Sequence, residues 1–234
     1  GTVVHINAGV SALVMAILLG RRSGWNVKGA PPITPHNVPF VVIGTALLWL
    51  GWLGFNGGSG LAADGLSASA ILVTNIAAAA AALTWTLLDW IINKKPTVIG
   101  FCTGVVAGLV AITPAAGSSG VLGAFVIGLV AGLVCFFMVA HVKPRFAYDD
   151  SLHAFGVHGI GGIIGSLLIG VFATQTITGD GGAQGALYGD WNQLWIQIVA
   201  TVATIAFSAI MTWILFRIVD ALVGIRVSKE SESV

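Results

Sequence analysis

An all-α, polytopic membrane fold is what this sequence predicts, on three observations. Of the 234 residues, 56% are hydrophobic and only 8% are charged. A soluble domain averages about 25% charged residues, so this chain could not cover a water-facing surface. Apolar stretches near the roughly 20 residues needed to span a bilayer recur along the whole length. The basic residues, finally, fall only in alternate loops.

Seven apolar segments are expected, at about residues 1–20, 38–58, 66–92, 97–115, 119–141, 151–173 and 192–223, joined by short loops rich in Gly, Pro, Ser and Asp. The first ends at Arg21 and Arg22, with Lys28 beyond them. The second runs into loop 59–65, which has no Lys or Arg. The third ends at Lys94 and Lys95. The fourth is short, and loop 115–119 after it is again without basic residues. The fifth is followed by Lys143 and Arg145, and the sixth by the Lys- and Arg-free stretch 174–191. The seventh is long enough to tilt or to run past the membrane, and Arg217, Arg226 and Lys229 cluster at its end. With seven crossings all ten basic residues lie on one side. The positive-inside rule then puts the first residue outside and the C-terminus in the cytoplasm of a cell (inner or plasma) membrane. The domain division expected is a transmembrane unit over 1–223 and the start of a cytoplasmic tail over 224–234.

Other classes are disfavoured by composition. A formal net charge of +1 without a basic run gives nothing for nucleic acid to bind. Cys102 and Cys135 sit in apolar segments without a CxxC spacing, so disulfide and zinc chemistry are not expected. The sequence enters an apolar segment at once, with no signal-like charged start. Further helices are therefore expected to precede it.

Segments one and six echo each other. VVHINAGVSALVMAILLG (3–20) and GVHGIGGIIGSLLIGVFA (156–173) align on Val-His, and Gly9 matches Gly162 four residues later. Five crossings separate them, so the copies run in opposite directions, as in an inverted repeat built around a midplane site. Counting about 1.5 Å per residue, His158 lies roughly 12 Å and His5 roughly 24 Å above the inner boundary, on either side of the middle of a core about 30 Å thick. A contact between the two rings is compatible with this count but not required by it. An ionisable residue at that depth usually faces a cavity or a partner. Neutral imidazole offers one donor and one acceptor, so two in series could pass on a proton or a small polar molecule. The plain alternative is a pair of packing histidines bonded to helix carbonyls. His36, His141 and His153 are expected at the interfaces. Most of the 32 glycines, as in GIGGIIG, read as close helix packing.

The run WLGWLGFNGGSG (49–60) is the second distinctive feature. Trp52, Phe55 and Ser59 are spaced i, i+3, i+7 and share one helical face. Aromatic faces attract cations, and Ser59 adds a hydroxyl acceptor. An interfacial aromatic belt is the alternative, and Trp85, Trp90, Trp191, Trp195 and Trp213 fit one. Phe55, flanked by small residues, has room to act as a plug.

Taken in order, GTVVHINAG, GWLGFNGGS, GLVAITPAAG, FGVHGIGG and DALVGIRVSKE resemble the ammonium transporter (Amt/Mep/Rh) family over the whole chain. The resemblance corresponds to the last seven helices of an eleven-helix inverted-repeat fold. It implies a transporter, not an enzyme, with no cofactor. It also implies that His5 and His158 are the paired pore histidines, Phe55 a gate and Ser59 the hydroxyl of an outer recruitment site. Trp52 matches a tryptophan near the pore, and Leu48 and Thr113 match lining positions. The second gate aromatic, the recruitment tryptophan and an acidic residue of the family belong to the four preceding helices. Expected partners are ammonium or ammonia (with methylammonium as analogue), the lipid bilayer, two further copies in a homotrimer, and a cytoplasmic PII-type signal protein at the tail. One departure is that His153 stands where the family commonly has an acidic residue. Asp149 and Asp150, just upstream, are candidates to cap the sixth helix. Two other readings compete: an ammonium sensor of the same family, which the short VSKESESV tail disfavours, and a membrane electron-transfer protein holding haem between His5 and His158.

Overall fold

The computed structural model describes residues 1–25 and 34–232, so the expected position of Lys28 lies outside the described residues. Among the described residues six helices are long and apolar enough to cross a membrane: α1 Thr2–Leu19, α2 Val38–Gly58, α3 Gly65–Asn93, α5 Val121–Phe146, α6 Phe155–Phe172 and α7 Trp191–Val223. The expected fourth span is a shorter apolar helix, α4, over Val98–Ile112. At about 1.5 Å per residue it falls short of the hydrocarbon thickness. It is also the most enclosed helix, with every residue from Ala107 to Ile112 buried. A helix wrapped by other helices need not match the bilayer. Among the described residues there is no strand, only an isolated bridge between Ser119 and Ala173 that ties the turn before α5 to the end of α6.

Five of the starts are set by a local polar group, whereas α1 and α5 begin after glycines, Gly1 and Gly120, without a side-chain cap. Asn37 accepts from the Phe40 amide at 3.0 Å, Asp64 from the Ser67 amide at 3.0 Å, Thr97 from the Gly100 amide at 2.9 Å and Asp190 from the Asn192 amide at 3.0 Å. These side chains satisfy amides that the first turn of a helix leaves unpaired. Asp150 does the same for α6, accepting from the amides of Ala154 and Phe155 at 2.9 Å each. Helix α6 therefore starts after residue 153, not at the expected 151. Asp149 does not cap it. Helix α5 runs past the expected 141 to Phe146, because a π-helical turn at Met138–Val142 leads into a last turn that carries Pro144 near its start, where a missing amide does least harm.

The core is a seam of small residues. Ala77 and Ala81 of α3 meet two glycine pairs at i, i+4 spacing: Gly104 and Gly108 of α4, and Gly128 and Gly132 of α5. Without side chains in the way the backbones approach closely, and dispersion takes over from the hydrophobic effect that lipid cannot supply. Trp85 belongs to this core, not to an interfacial belt. It is buried, with its ring edge-on to Phe136 at 5.5 Å, because Gly104 leaves the space it fills. Trp90, Trp191, Trp195 and Trp213 are exposed, as a belt requires.

A Cβ placed on Gly108 would lie 2.8 Å from the Cα of Ala78, whereas one on Gly44 would meet nothing within 4 Å. Gly108→Val is expected to destabilise the fold by about 1–3 kcal/mol through overpacking, seen as a lowered thermal midpoint in detergent. Gly44→Ala should leave that midpoint where it is.

Candidate functional site

Helices α1 and α6 open alike. Each begins with a five-residue π-helical turn whose fourth residue is the histidine, Thr2–Ile6 with His5 and Phe155–Gly159 with His158. In both, 13 residues of regular α-helix follow. The two helices cross at glycines that face each other reciprocally. A side chain on Gly9 would run into the Gly159 backbone, and one on Gly162 would meet the Ile6 amide nitrogen at 3.0 Å and the His5 Cβ at 3.1 Å. The Val-His echo in the sequence is thus a structural repeat. Wider turns of the π type are frequent at functional sites.

This crossing brings the imidazoles together. The Nδ1 atoms of His5 and His158 are 3.3 Å apart, so one donates and the other accepts, and the ring centroids are 5.4 Å apart. That is closer than the roughly 12 Å difference in depth obtained by counting helical rise. Residues 147–153 are irregular, and extended chain climbs up to about 3.3 Å per residue, which lifts His158 towards its partner. Rings bonded directly to each other leave no space for iron and a macrocycle between them, so the pair does not fit a bis-histidine haem site. His5 is 4% exposed, and its Nε2 has no hydrogen-bond partner.

An aromatic wall stands against the pair. The Trp52 ring stacks on His5 at 5.1 Å with an interplanar angle of 15°, and Phe55 meets His5 edge-on at 6.4 Å. Thr113 fixes the indole. Its hydroxyl accepts from Trp52 Nε1 at 2.7 Å and donates to the Leu109 carbonyl at 2.7 Å. Phe55, Ser59 and Thr113 together line a cavity of about 380 Å³, with Asn56, Leu66 and Ala116 completing much of its wall. The Ser59 hydroxyl donates to the Phe55 carbonyl at 2.7 Å, so its lone pairs stay available to a donor in the cavity. Asn56 went unnoticed in the sequence. It lies between Phe55 and the small residues, and donates to Thr74 at 2.9 Å. Leu48 is exposed on α2 and is not among the residues lining this cavity.

The opposite end carries a polar network. Arg22 clamps Asp149 through two side-chain bonds, Nε to Oδ2 at 2.8 Å and Nη2 to Oδ1 at 2.5 Å. The Asp149 carboxyl is pushed up by burial, but the Arg22 bonds and charge outweigh this and hold it below its usual value. Arg226 of the tail donates to the carbonyls of Leu19 and Arg21, and Ser23 donates to Glu232 at 2.9 Å. A cavity of about 310 Å³ opens beside them, lined by Leu19, Arg22, Asp149, Arg226 and Glu232. His36 and His141 are exposed, and His141 lies against Phe137 at 5.2 Å. His153 differs. It is half-buried, its Nδ1 is 3.0 Å from Lys143 Nζ, and its backbone has φ 56°. Burial and the neighbouring Lys143 charge lower its pKa to about 4, against the smaller pull of Asp150.

Fold and site together define a multi-pass helical membrane protein with two antiparallel helices crossing at a buried and a half-buried histidine beside an aromatic-walled cavity. Comparison with known proteins gives the family. The Ammonium Transporter Family model matches residues 1–234. An ammonium transporter of Aquifex aeolicus is 49% identical over 99% of this chain and 53% of its own length. One from Bacillus subtilis is 47% identical over 100% of this chain and 56% of its own. The crystal structure of Saccharomyces cerevisiae Mep2 superposes with a TM-score of 0.89 at 38% identity, covering 97% of this chain and 52% of Mep2. A structure described as a sensor Amt protein gives 0.87 at 32% identity, covering 99% and 56%. The chain belongs to the ammonium transporter family, a family of transport proteins, and spans about half the length of the relatives it matches.

Thr113→Val should strand the Trp52 N–H in an apolar site and lower stability by about 1–3 kcal/mol, read as the thermal midpoint in detergent. Thr113→Ser, which keeps the hydroxyl, should recover it. His153, neutral in the folded protein down to about pH 4 but protonated below about pH 6.5 when unfolded, favours folding fully above pH 6.5. That contribution is lost as pH falls from 6.5 towards 4. Thermal midpoints of a His153→Gln variant should therefore decline less than those of the wild type across that window.

Proposed function

We propose that this chain forms the histidine-bearing part of an ammonium transporter. In this reading an ammonium ion is held outside by the cavity at Phe55 and Ser59, loses its proton, and crosses as ammonia along His5 and His158. The observation that carries it is the 3.3 Å imidazole pair behind the aromatic wall of Trp52 and Phe55.

The reasoning is energetic. An ammonium ion has four N–H donors, and the cavity offers it Ser59 lone pairs and the ring face of Phe55. Beyond Phe55 the ion would have to shed its water beside apolar groups, where an unpaired charge is far more expensive than a neutral amine. Deprotonation removes that penalty. Potassium has no proton to lose, so the same barrier excludes it. Ammonia is a donor and an acceptor, and so is neutral imidazole. The unpartnered Nε2 of His5 offers such a guest a bond that no protein group supplies.

In this reading, which the loops rich in Lys and Arg support, the Arg22, Asp149 and Arg226 network lies at the cytoplasmic face of a cell membrane. Residues 1–223 then form the transmembrane domain, and 224–234 the start of the tail. Trp52 and Thr113 keep His5 oriented, Leu48 continues the same face of α2 inward, and the working assembly is a homotrimer. The tail, tied to the end of α1 through Arg226, is the surface on which a PII-type signal protein would act.

The test is methylammonium uptake by the full-length protein in proteoliposomes. His158→Leu should reduce it at least about tenfold or admit potassium, whereas an exposed-face change such as Leu50→Ala should do neither. Unaltered rate and selectivity in His158→Leu would overturn the histidine path.

A further inference from the structure

The conduction path just proposed ends with ammonia at the cytoplasmic side, where it must regain a proton. We propose that Lys143 and His153 form a proton relay that returns it there, an inference that rests on the histidine-path reading.

Position comes first. His153 stands at the threshold of α6: its carbonyl accepts from the Val157 amide at 2.8 Å, in the turn that leads to His158. Its backbone is left-handed at φ 56°, a region that residues with side chains seldom occupy and that clusters at working sites. A glycine would sit there without strain, so something other than backbone geometry must account for an imidazole at this point.

The partner explains it. Lys143 is buried. Its Nζ donates to the Asp150 carbonyl at 2.5 Å and to His153 Nδ1 at 3.0 Å, and it lies over the Trp25 ring at 5.6 Å. An ammonium group only donates. His153 Nδ1 is therefore the acceptor, and the ring hydrogen is on Nε2. Among the described residues no hydrogen bond engages Nε2, which leaves that edge to act towards a guest. The charged and titratable groups around the ring are otherwise committed. Asp150 is spent on the Ala154 and Phe155 amides, Asp149 is clamped by Arg22, and Tyr148, its hydroxyl pushed up by burial and by Asp150, keeps its proton. Lys143 is the proton donor in contact with His153 among the described residues.

The transfer balances. Ammonia meeting that edge takes the proton from Nε2, and its lone pair becomes the fourth N–H bond of ammonium. Nδ1 takes a proton from Lys143, whose Nζ becomes a neutral amine still bonded to the ring. Hydronium on the cytoplasmic side then protonates Nε2, and Nδ1 hands its proton back to Lys143. The sum is ammonia plus hydronium giving ammonium plus water. Because burial and Lys143 depress the imidazolium form of His153, no second cation accumulates beside Lys143 at neutral pH, and the ring acts as a conductor of the proton, not a store.

Uptake of methylammonium by the full-length protein in proteoliposomes tests this, with luminal pH varied from 6 to 8 and His158→Leu run in parallel. His153→Gly, which suits the left-handed backbone, should match wild type at luminal pH 6. At luminal pH 8 it should fall about tenfold, less than a positioned acid typically contributes because water remains a slower donor, with the external KM unchanged. Imidazole added to the lumen should restore the rate, while phosphate at the same pH should not. Restoration should be lost in the double variant Lys143→Gln with His153→Gly. A wild-type luminal pH profile in His153→Gly, or equal rescue by phosphate or in the double variant, overturns the relay. If His158→Leu is impaired while His153→Gly is not, only the relay falls. If His158→Leu transports like wild type, the path itself does.

Discussion

The close approach of α1 and α6 at Gly9 and Gly162 is the constraint on which the remaining geometry depends. Each glycine faces the backbone around the opposite histidine, so a side chain at either would prise the helices apart and separate the imidazoles. Two elements with the same opening turn, running in opposite directions, meet through the same patch, and the contact is reciprocal for the reason that a two-fold interface is. In lipid, where apolar side chains gain little by leaving the membrane for one another, such small-residue contacts are a main source of helix association.

The surrounding packing holds that crossing in place. The alanines of α3 receive α4 and α5 along one seam, and α4 lies against α6, where a side chain on Gly165 would collide with Ala111. From α4 the chain of contacts runs through Thr113 to the Trp52 indole and on to the face of His5. Orientation of the imidazole therefore rests on a hydroxyl two helices away. The other side of the crossing is pinned by Thr2 and Ser166, whose hydroxyls are 2.6 Å apart, and by Thr212, which donates to Ser11 at 2.7 Å.

Much of this was legible in the sequence, for identifiable reasons. Apolar length located the spans and the Lys and Arg residues bounded them, since both follow directly from the cost of placing charge in hydrocarbon. The spacing of Trp52, Phe55 and Ser59 put Phe55 and Ser59 on one cavity, and the Val-His echo pointed to the crossing. Other features depend on tertiary context. Trp85 looks like a belt residue until Gly104 is seen to open a space for it. The extent of α5 past Pro144 needs a π turn that no local propensity announces. His153 reads as an interfacial histidine because the Lys143 that engages it is ten residues upstream on another element. The contact between His5 and His158 depends on how far an irregular loop climbs, which periodicity cannot measure.

The contrast between α4 and α7 has a consequence for how the protein meets its membrane. At about 1.5 Å per residue, the 33 residues of α7 extend to roughly 50 Å, well beyond a hydrocarbon slab of about 30 Å. The 15 residues of α4 reach only about 22 Å. The long helix is mostly exposed and can absorb a thicker or thinner bilayer by leaning. The short one is sheathed in protein and does not register the mismatch. Changes in lipid chain length therefore bear first on α7, and the Thr212–Ser11 bond is a point at which its lean would reach the helix that carries His5.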